Sequence, residues 1–391
     1  MEDIRNNFES EEMDIEMENG DQQENSENEN SVSLKEEDSF EEDSEEPENN
    51  GQGIIKYNPL DFQLENIIHI LTELHLIKKE NICPKCNNSM HLTNNKNFKD
   101  KICWRCTKKG NNSHDVKINI RNGSIFSLMK CDLRIIYFII FNNFTNNNSV
   151  NVTFRNCKEF CKDLKIETIS RSYIGKIFNI VKHKIMESTH AYWSNNYMGT
   201  EPGDDGKARI EIDESKVITF DNNVRWMFGL VDRNKYDIRV FFVNNNRVKE
   251  TLLPIVIKNV YTYPTILNNN EGENEDYPAT RVYSDCFQTY QKEDFNLKGY
   301  ILYKVNHSVW FGTGSFHTNT IEGVWSSIKR ITNNFNGMNG SIYNKFKNNE
   351  IEFYNYINGW ICATLYYMRC EHFKLGDNAK IELLSEYLKS N

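Results

Sequence analysis

Residues 208–213 read ARIEID, residues 225–231 read RWMFGLV and residues 237–243 read DIRVFFV, and these three runs decide the fold class. The first run alternates apolar and polar residues, which is typical of a strand with one buried face. Further elements follow in order: a helix in RVKETLLPIVIKNV (247–260), a strand in RVYSD (281–285), a short helix in FQTYQKE and a strand in YILYKV (300–305). Strands that alternate with helices predict an α/β domain.

The segment TNTIEGVWSSIKRITNNF (318–335) predicts the helix that closes this domain. Its apolar residues Ile321, Val324, Trp325 and Ile328 recur at the spacing of one face of an amphipathic helix. Upstream, the Gly- and Asp-containing linker at 195–208 marks a domain boundary.

Charge divides the chain into two unlike parts. The net charge is −10, but residues 1–50 hold 21 acidic and two basic residues, so residues 51–391 carry +9. The acidic stretch has too little apolar surface to fold and is predicted to be disordered; it is either a passive solubilising tail or a competitor with DNA for the basic body. No signal peptide opens the chain, and the longest apolar run (133–141) is too short to span a bilayer.

Composition and periodicity predict a helix-turn-helix in the segments FRNCKEFCKDL and SRSYIGKIFNIVKHKIMEST, which KIETI joins, with Ser170 as the N-cap of the second helix. The predicted organisation is a disordered acidic tail (1–52), a helix plus zinc ribbon (53–122), a helical region (123–194), an α/β domain (205–372) and a C-terminal helix or tail (373–391).

Two cysteine pairs predict a structural zinc site. Cys83 and Cys86 form one C-x2-C pair, Cys103 and Cys106 form another, and 16 residues separate the pairs. Four thiolates satisfy the tetrahedral preference of Zn²⁺ and leave no open coordination position. Two further candidate ligands lie nearby, His91 and His114. The other six cysteines lack such a spacing and are interpreted as small core residues.

Three acidic residues occupy informative positions in the strand-rich half. Asp213 and Asp285 each end a strand, and Glu322 lies in the first turn of the helix that follows the last strand. Functional groups gather at the carboxyl ends of parallel strands, and three carboxylates there suit two hard cations such as Mg²⁺. Taken alone, such residues are more often turn, cap or helix-dipole residues than metal ligands.

The motifs IEIDES, YSDCFQTY, VNHSVWF and HTNTIEGVWSSIKR resemble those of the Merlin-type, ISXO-like DNA transposases, over roughly residues 80–370. The resemblance implies a zinc ribbon, a helical DNA-binding region and an RNase H-like mixed sheet flanked by helices. It also implies an Asp-Asp-Glu triad of Asp213, Asp285 and Glu322, with 36 residues between the last two. Lys329, beside Arg330, matches the family's accompanying basic residue.

Some residues leave the site assignment open. Some bacterial relatives place Asn or His in the third acidic role, so Asn319 or His317 is an alternative to Glu322. His307 and His317 are expected either to position DNA or water near the metals or to hydrogen-bond for structure. Glu214 follows Asp213 and should point to the opposite sheet face.

The resemblance implies a nuclear transposase that binds terminal inverted repeats and catalyses strand cleavage and strand transfer with two Mg²⁺ (or Mn²⁺) ions. Its partners would be the double-stranded DNA of transposon ends and target, with no membrane, and joining two ends requires a homodimer or larger oligomer. The alternatives are a transposon-derived, catalytically inactive DNA-binding or chromatin protein, and an RNase H-like nuclease that does not transpose.

Overall fold

The computed structural model describes residues 57–110, 112–220, 223–244, 246–263, 279–306, 317–336, 346 and 349–389. The chain divides into two units, Met1–Gly53 and Ile54–Asn391, and all described residues belong to the second. The predicted acidic tail and His307 lie outside the described residues.

The first elements build a small cysteine-bearing sheet. Helix α1 (Leu64–Glu73) precedes strands β1 (His91–Asn94), β2 (Ile102–Lys108) and β3 (His114–Asn119). Both strand pairs are antiparallel, and β2 lies in the centre. The sheet therefore carries one cysteine pair on its central strand.

Helices follow the small sheet. At the start of the predicted helical region (123–194), the chain forms three pieces: a 3-10 turn at Ile125–Leu128, helix α2 (Leu133–Tyr137) and a wider π-helical turn at Phe138–Phe144. Helices α3 (Val150–Leu164) and α4 (Arg171–Asn195) then form the predicted helical pair. The predicted N-cap is confirmed, because the Ser170 hydroxyl accepts a hydrogen bond from the Tyr173 N–H at 3.2 Å.

The second sheet is mixed, which confirms the α/β class. Its strands are β4 (Lys207–Phe220), β5 (Asn223–Asp232), β6 (Asp237–Asn244), β7 (Ala279–Asp285) and β8 (Tyr300–Val305). The spatial order is β6-β5-β4-β7-β8. Strand β5 is antiparallel to both of its neighbours, β6 and β4, whereas β7 is parallel to both of its neighbours, β4 and β8. The central strand β4 thus has an antiparallel neighbour on one side and a parallel neighbour on the other.

Helices cover both faces of the mixed sheet. They are α5 (Lys249–Asn259), α6 (Lys292–Asn296), α7 (Asn319–Asn336) and α8 (Glu350–His372), and α9 (Asp377–Leu388) follows α8 along the chain. The short helix expected in FQTYQKE forms slightly later, as α6. The predicted apolar face of α7 is confirmed: Ile321, Val324, Trp325 and Ile328 are all buried, in a cluster with residues of the sheet. On the opposite face, Ile210 and Ile212 pack with residues of α5.

The C-terminal helices complete the core of the helical region. Cys362 and Tyr366 of α8 and Leu384 and Leu388 of α9 belong to the same buried cluster as Ile177 of α4. Residues far apart in sequence therefore share one apolar core. None of the helices in the described ranges combines the length and apolar character that crossing a membrane requires.

Candidate functional site

Three cysteines and one histidine form a candidate metal centre in the small sheet. The ligand atoms of Cys83, Cys86, Cys106 and His114 all lie within 4.8 Å of one another. His114 Nε2 is 3.5 Å from the Sγ atoms of both Cys83 and Cys106, and the Cys86 and Cys106 sulfurs are 3.6 Å apart. Tetrahedral zinc with the usual bond lengths separates S from N by about 3.5 Å and S from S by about 3.8 Å. The group therefore fits a structural metal such as zinc.

The structure corrects one of the four predicted ligands. His114 completes the group, and Cys103 is not part of it. Cys103 and Cys106 both lie within the continuous strand β2, three residues apart. Side chains alternate between the two faces of a strand, so residues three apart point to opposite sides. Only Cys83 and Cys86 lie on a tight turn, which the left-handed backbone of Asn87 (φ 55°) closes.

The surroundings of the ligands favour metal binding over free thiols. Burial opposes ionisation of Cys83, but hydrogen bonds from the backbone of Lys85 and Cys86 lower the pKa of this thiol to about 7. Burial and the neighbouring sulfurs raise the pKa of Cys106 to about 11. A cation between the sulfurs would allow both to ionise. His114 Nδ1 lies 3.2 Å from the Asn112 carbonyl, to which it can donate while Nε2 faces the sulfurs.

The mixed sheet brings together Asp213 and Asp285, the two predicted aspartates. The parallel register between β4 and β7 runs from Lys207 opposite Ala279 to Glu211 opposite Tyr283. Two residues beyond Glu211 and Tyr283, Asp213 and Asp285 occupy equivalent positions on the two strands. Each lies two residues after a member of that pair, so each side chain points to the same face of the sheet as that member. Neighbouring strands are about 4.8 Å apart, so the two side chains share one face of the sheet, beside the carboxyl end of β7. Asp285 ends β7 as predicted, but the prediction that Asp213 ends its strand is wrong, because β4 continues to Phe220 in its antiparallel pairing with β5.

The electrostatics of Asp213 show that the carboxylates interact. Burial and the charge of Asp285 raise the pKa of Asp213 to about 7, and the charge of Glu322 adds to the increase. The indole N–H of Trp325 opposes the shift by donating a hydrogen bond to Asp213 Oδ2 at 2.9 Å. In the absence of a cation, the clustered carboxylates repel one another.

Glu322 is the most exposed of the three predicted carboxylates. It lies in the first turn of α7, and the Thr318 hydroxyl is 3.4 Å from its Oε1. Over the residues that the structure describes, no three carboxylates bring their oxygens within 4.8 Å of one another. Lys329 is half-buried and Arg330 is exposed on the same helix, and Asn319 is the exposed first residue of α7.

Gly229 sets how closely α7 approaches the sheet. It lies opposite Asp213 in the register of β4 and β5. A Cβ at this position would stand 2.7 Å from Trp325 Cζ2 and 3.1 Å from Ile321 Cδ1. The absence of a side chain therefore allows the Trp325 ring to lie on the sheet, where its N–H reaches Asp213.

Glu211 is a site residue that the sequence analysis missed. Its side chain is fully buried, and its Oε2 accepts a hydrogen bond at 2.8 Å from the backbone N–H of Ile321, in the first turn of α7. The Arg233 guanidinium forms an ion pair with Glu211 and also donates to the carbonyl of His317, just before α7. Glu211 thereby fixes the start of the helix that carries Glu322.

His317 belongs to this buried network, because its Nδ1 lies 3.3 Å from Glu211 Oε1. Burial and the nearby Arg233 lower its pKa, and Glu211 opposes them. The only sequence signal for the network is a second acidic residue in the alternating run ARIEID, at the position that shares a strand face with Asp213.

Glu214 lies between the other carboxylates in sequence but alternates to the face of Ile210 and Ile212. Burial, Asp213 and Asp285 raise its pKa to about 8, whereas Arg247 lowers it. The guanidinium of Arg247 in turn lies over the Trp226 ring, 3.7 Å from its centroid. The middle of β4 therefore holds acidic groups on both faces of the sheet.

Comparisons with known proteins identify no family. No family model matches the chain, and no curated protein matches it. Among solved structures, the chain is similar to one in the cryoEM structure of the simian T-cell lymphotropic virus intasome in complex with PP2A regulatory subunit B56 gamma. That similarity has a TM-score of 0.23 and 11% identity, and it covers 51% of this chain and 63% of that chain, less than two thirds of its length. A similarity of this degree carries no argument about function.

Proposed function

We propose that the chain is a metal-dependent DNA transposase whose mixed sheet is an RNase H-like catalytic domain. The proposal rests on the resemblance of the motifs around Asp213, Asp285 and Glu322 to those of Merlin-type transposases. The order β6-β5-β4-β7-β8, with only β5 antiparallel to β4, supports it, because an RNase H-like sheet has this arrangement.

The observation that carries the proposal is the position of Asp213 and Asp285. They occupy equivalent positions on hydrogen-bonded parallel strands, and repulsion by Asp285 contributes to the raised pKa of Asp213. Structural carboxylates usually have a cationic partner or several donors. Two carboxylates that repel each other on one face of a sheet instead suit a divalent cation.

Asp213 and Asp285 would hold one Mg²⁺ between them, and Glu322 would complete a second site. The metal ions would supply Lewis-acid stabilisation of the attacking and leaving oxygens in phosphoryl transfer. Within the chain, Trp325 orients Asp213 by its hydrogen bond, and Glu211 holds the first turn of α7. Carboxylate oxygens fit the hard cation, whereas the sulfur-rich group in the small sheet fits zinc.

DNA binding is proposed for the remaining parts of the basic body. The charge of +9 over residues 51–391 would attract the phosphate backbone, and Lys329 and Arg330 lie on the helix that carries Glu322. The small sheet and the pair α3–α4 would contact the transposon ends, mainly through phosphates. Joining two ends would require a dimer or a larger assembly, and the proposed site of action is the nucleus.

The test uses the full chain and duplexes that carry the DNA flanking its gene. Denaturing gels measure strand cleavage in Mg²⁺ or Mn²⁺, and mobility shifts measure binding. We expect Asp213→Asn, Asp285→Asn and Glu322→Gln to abolish cleavage and to retain binding. The matched control is Asp294→Asn, which removes a carboxylate on α6 that pairs with a lysine. If Asn319→Ala lost cleavage and Glu322→Gln retained it, the assignment of Glu322 as the third metal-binding residue would be wrong.

A second candidate function is DNA binding without catalysis. One observation favours it: in the described part of the chain, Glu322 does not converge with two other carboxylates to within 4.8 Å. The same experiment separates the two functions. A wild-type chain that binds the flanking DNA but never cleaves it, with either metal, supports the binding protein and contradicts the transposase.

A further inference from the structure

A cavity lies away from the carboxylate edge, between α4, α8 and the segment 123–128. Its volume is about 700 Å³. Ile125 and Ile180 contribute apolar surface on one side, and Tyr356 and Trp360 of α8 contribute aromatic surface on the other. The dimensions suit a small organic molecule.

Lys182 of α4 lines this cavity and is the one buried cation of the described chain that lacks a carboxylate partner. The described residues include three buried cations. Arg121 pairs with Asp100, and Arg239 pairs with Asp237. No described carboxylate lies within ion-pair distance of the Lys182 ammonium, although the residue is only 5% exposed. Buried charges are normally paired, so Lys182 needs a separate explanation.

The aromatic rings around Lys182 compensate its charge only in part. Its Nζ lies over the Trp360 ring, 2.8 Å from the centroid, and 5.8 Å from the centroid of Phe178. A cation–π contact stabilises an ammonium less than an ion pair does inside a protein. Burial lowers the pKa of Lys182 well below its usual value, as expected when no anion is present.

The other titratable groups that line the cavity do not neutralise Lys182. Lys184 and His183 both lie 3.3 Å from the carboxylate of Glu187, so that cluster is internally paired. Glu352 is exposed and is not within ion-pair distance of Lys182. An anion bound in the cavity would therefore stabilise the charged form of Lys182, with aromatic and apolar surface beside it.

We propose that this cavity binds a small organic anion with a planar apolar body, whose anionic group pairs with Lys182 and whose body lies against Trp360 and Tyr356. The anionic group is a carboxylate, sulfonate or phosphate ester. This site is separate from the proposed catalytic edge, and the inference does not depend on transposase activity.

The test compares two fluorescent probes that share a planar body and differ in charge. The anionic probe is 1-anilinonaphthalene-8-sulfonate, and the uncharged probe is N-phenyl-1-naphthylamine. The full zinc-loaded chain should bind one equivalent of the anionic probe, more tightly than the uncharged one. Lys182→Met keeps the length of the side chain and removes its charge. It should weaken the anionic probe by about tenfold or more and leave the uncharged probe nearly unchanged.

Two further variants make the result specific. Lys184→Met removes another cation from the same cavity wall, one that is already paired with Glu187. This change should leave the affinities for both probes unchanged. Lys182→Arg should retain the preference for the anionic probe. Equal affinity of the two probes for the wild type would overturn the proposal even if Lys182→Met failed to fold. The proposal would also be overturned if the wild type and a folded Lys182→Met bound the anionic probe with equal affinity. A third contrary result would be that inorganic phosphate displaces the anionic probe as effectively as 1-naphthoate does.

Discussion

Replacing Asp213 by asparagine should stabilise the protein at neutral pH when no Mg²⁺ is present. The pKa of Asp213 is about 7 in the folded chain, against a reference value of 3.8. Between these two pH values the unfolded chain releases this proton before the folded chain does. The free energy of unfolding therefore decreases as the pH rises from 3.8 to about 7, and the loss persists at higher pH. The asparagine carries no charge and retains an oxygen that can accept the Trp325 hydrogen bond.

The size of the effect follows from the shift. A difference of about three pKa units lowers the free energy of unfolding of the wild type by about 4 kcal/mol at pH 8. At pH 5.5 the same two pKa values lower it by about 2 kcal/mol. The advantage of Asp213→Asn over the wild type should therefore grow by about 2 kcal/mol over this range. Burial accounts for the largest part of the shift, and Asp285 for the next part.

Urea unfolding of both chains at several pH values from 5.5 to 8, without added Mg²⁺, measures this difference. Subtracting the two curves at each pH removes contributions common to both chains, such as loss of zinc. The matched control is Asp205→Asn, because Arg209 lowers the pKa of that exposed carboxyl and its loss should not stabilise the protein. A stability difference that is independent of pH, or that favours the wild type at pH 8, would refute the repulsive carboxylate cluster.

Three further predictions test other contacts. His114→Ala should reduce bound zinc from one equivalent to nearly none by elemental analysis, and Cys103→Ala should retain it; the reverse pattern would restore the four-cysteine site. Gly229→Ala should lower the free energy of unfolding by about 1–3 kcal/mol in urea titrations, because its Cβ would lie 2.7 Å from a Trp325 ring carbon; an unchanged midpoint would show that α7 moves freely. Glu211→Gln should lower that free energy by about 1.5–3 kcal/mol, because it removes the charge of a fully buried carboxylate that pairs with Arg233. A neutral effect would exclude a role in holding α7.

The elements of the mixed sheet could be predicted from sequence because their signals are local. The alternation in ARIEID and the i, i+3, i+4, i+7 spacing in α7 depend only on which residues face the core, and the structure buries those residues. Ser170 was likewise predictable as an N-cap, since the contact that it makes is with a residue three positions away.

The remaining features depend on contacts between distant residues. The spacing of Cys103 and Cys106 does not reveal that both lie on one strand, and His114 becomes a ligand only when β3 pairs with β2. Glu211 has the sequence position of a solvent-facing strand residue, but its partner Ile321 lies 110 residues away. The missing partner of Lys182 is likewise invisible until α4 packs against α8. Sequence periodicity locates an element but does not identify what its polar residues meet.

The shared core of α4 and α9 has a consequence for how the protein is made. Leu384 and Leu388 pack into the cluster that contains Ile177, so α4 remains partly uncovered until α9 has been synthesised. The ribosome adds about 5–20 residues per second, which leaves roughly 10–40 s between completion of α4 and completion of α9. During this interval the nascent chain exposes an apolar helix face while the whole mixed sheet is being translated. Release of the chain before α9 is complete would therefore leave a product that chaperones retain or proteases degrade.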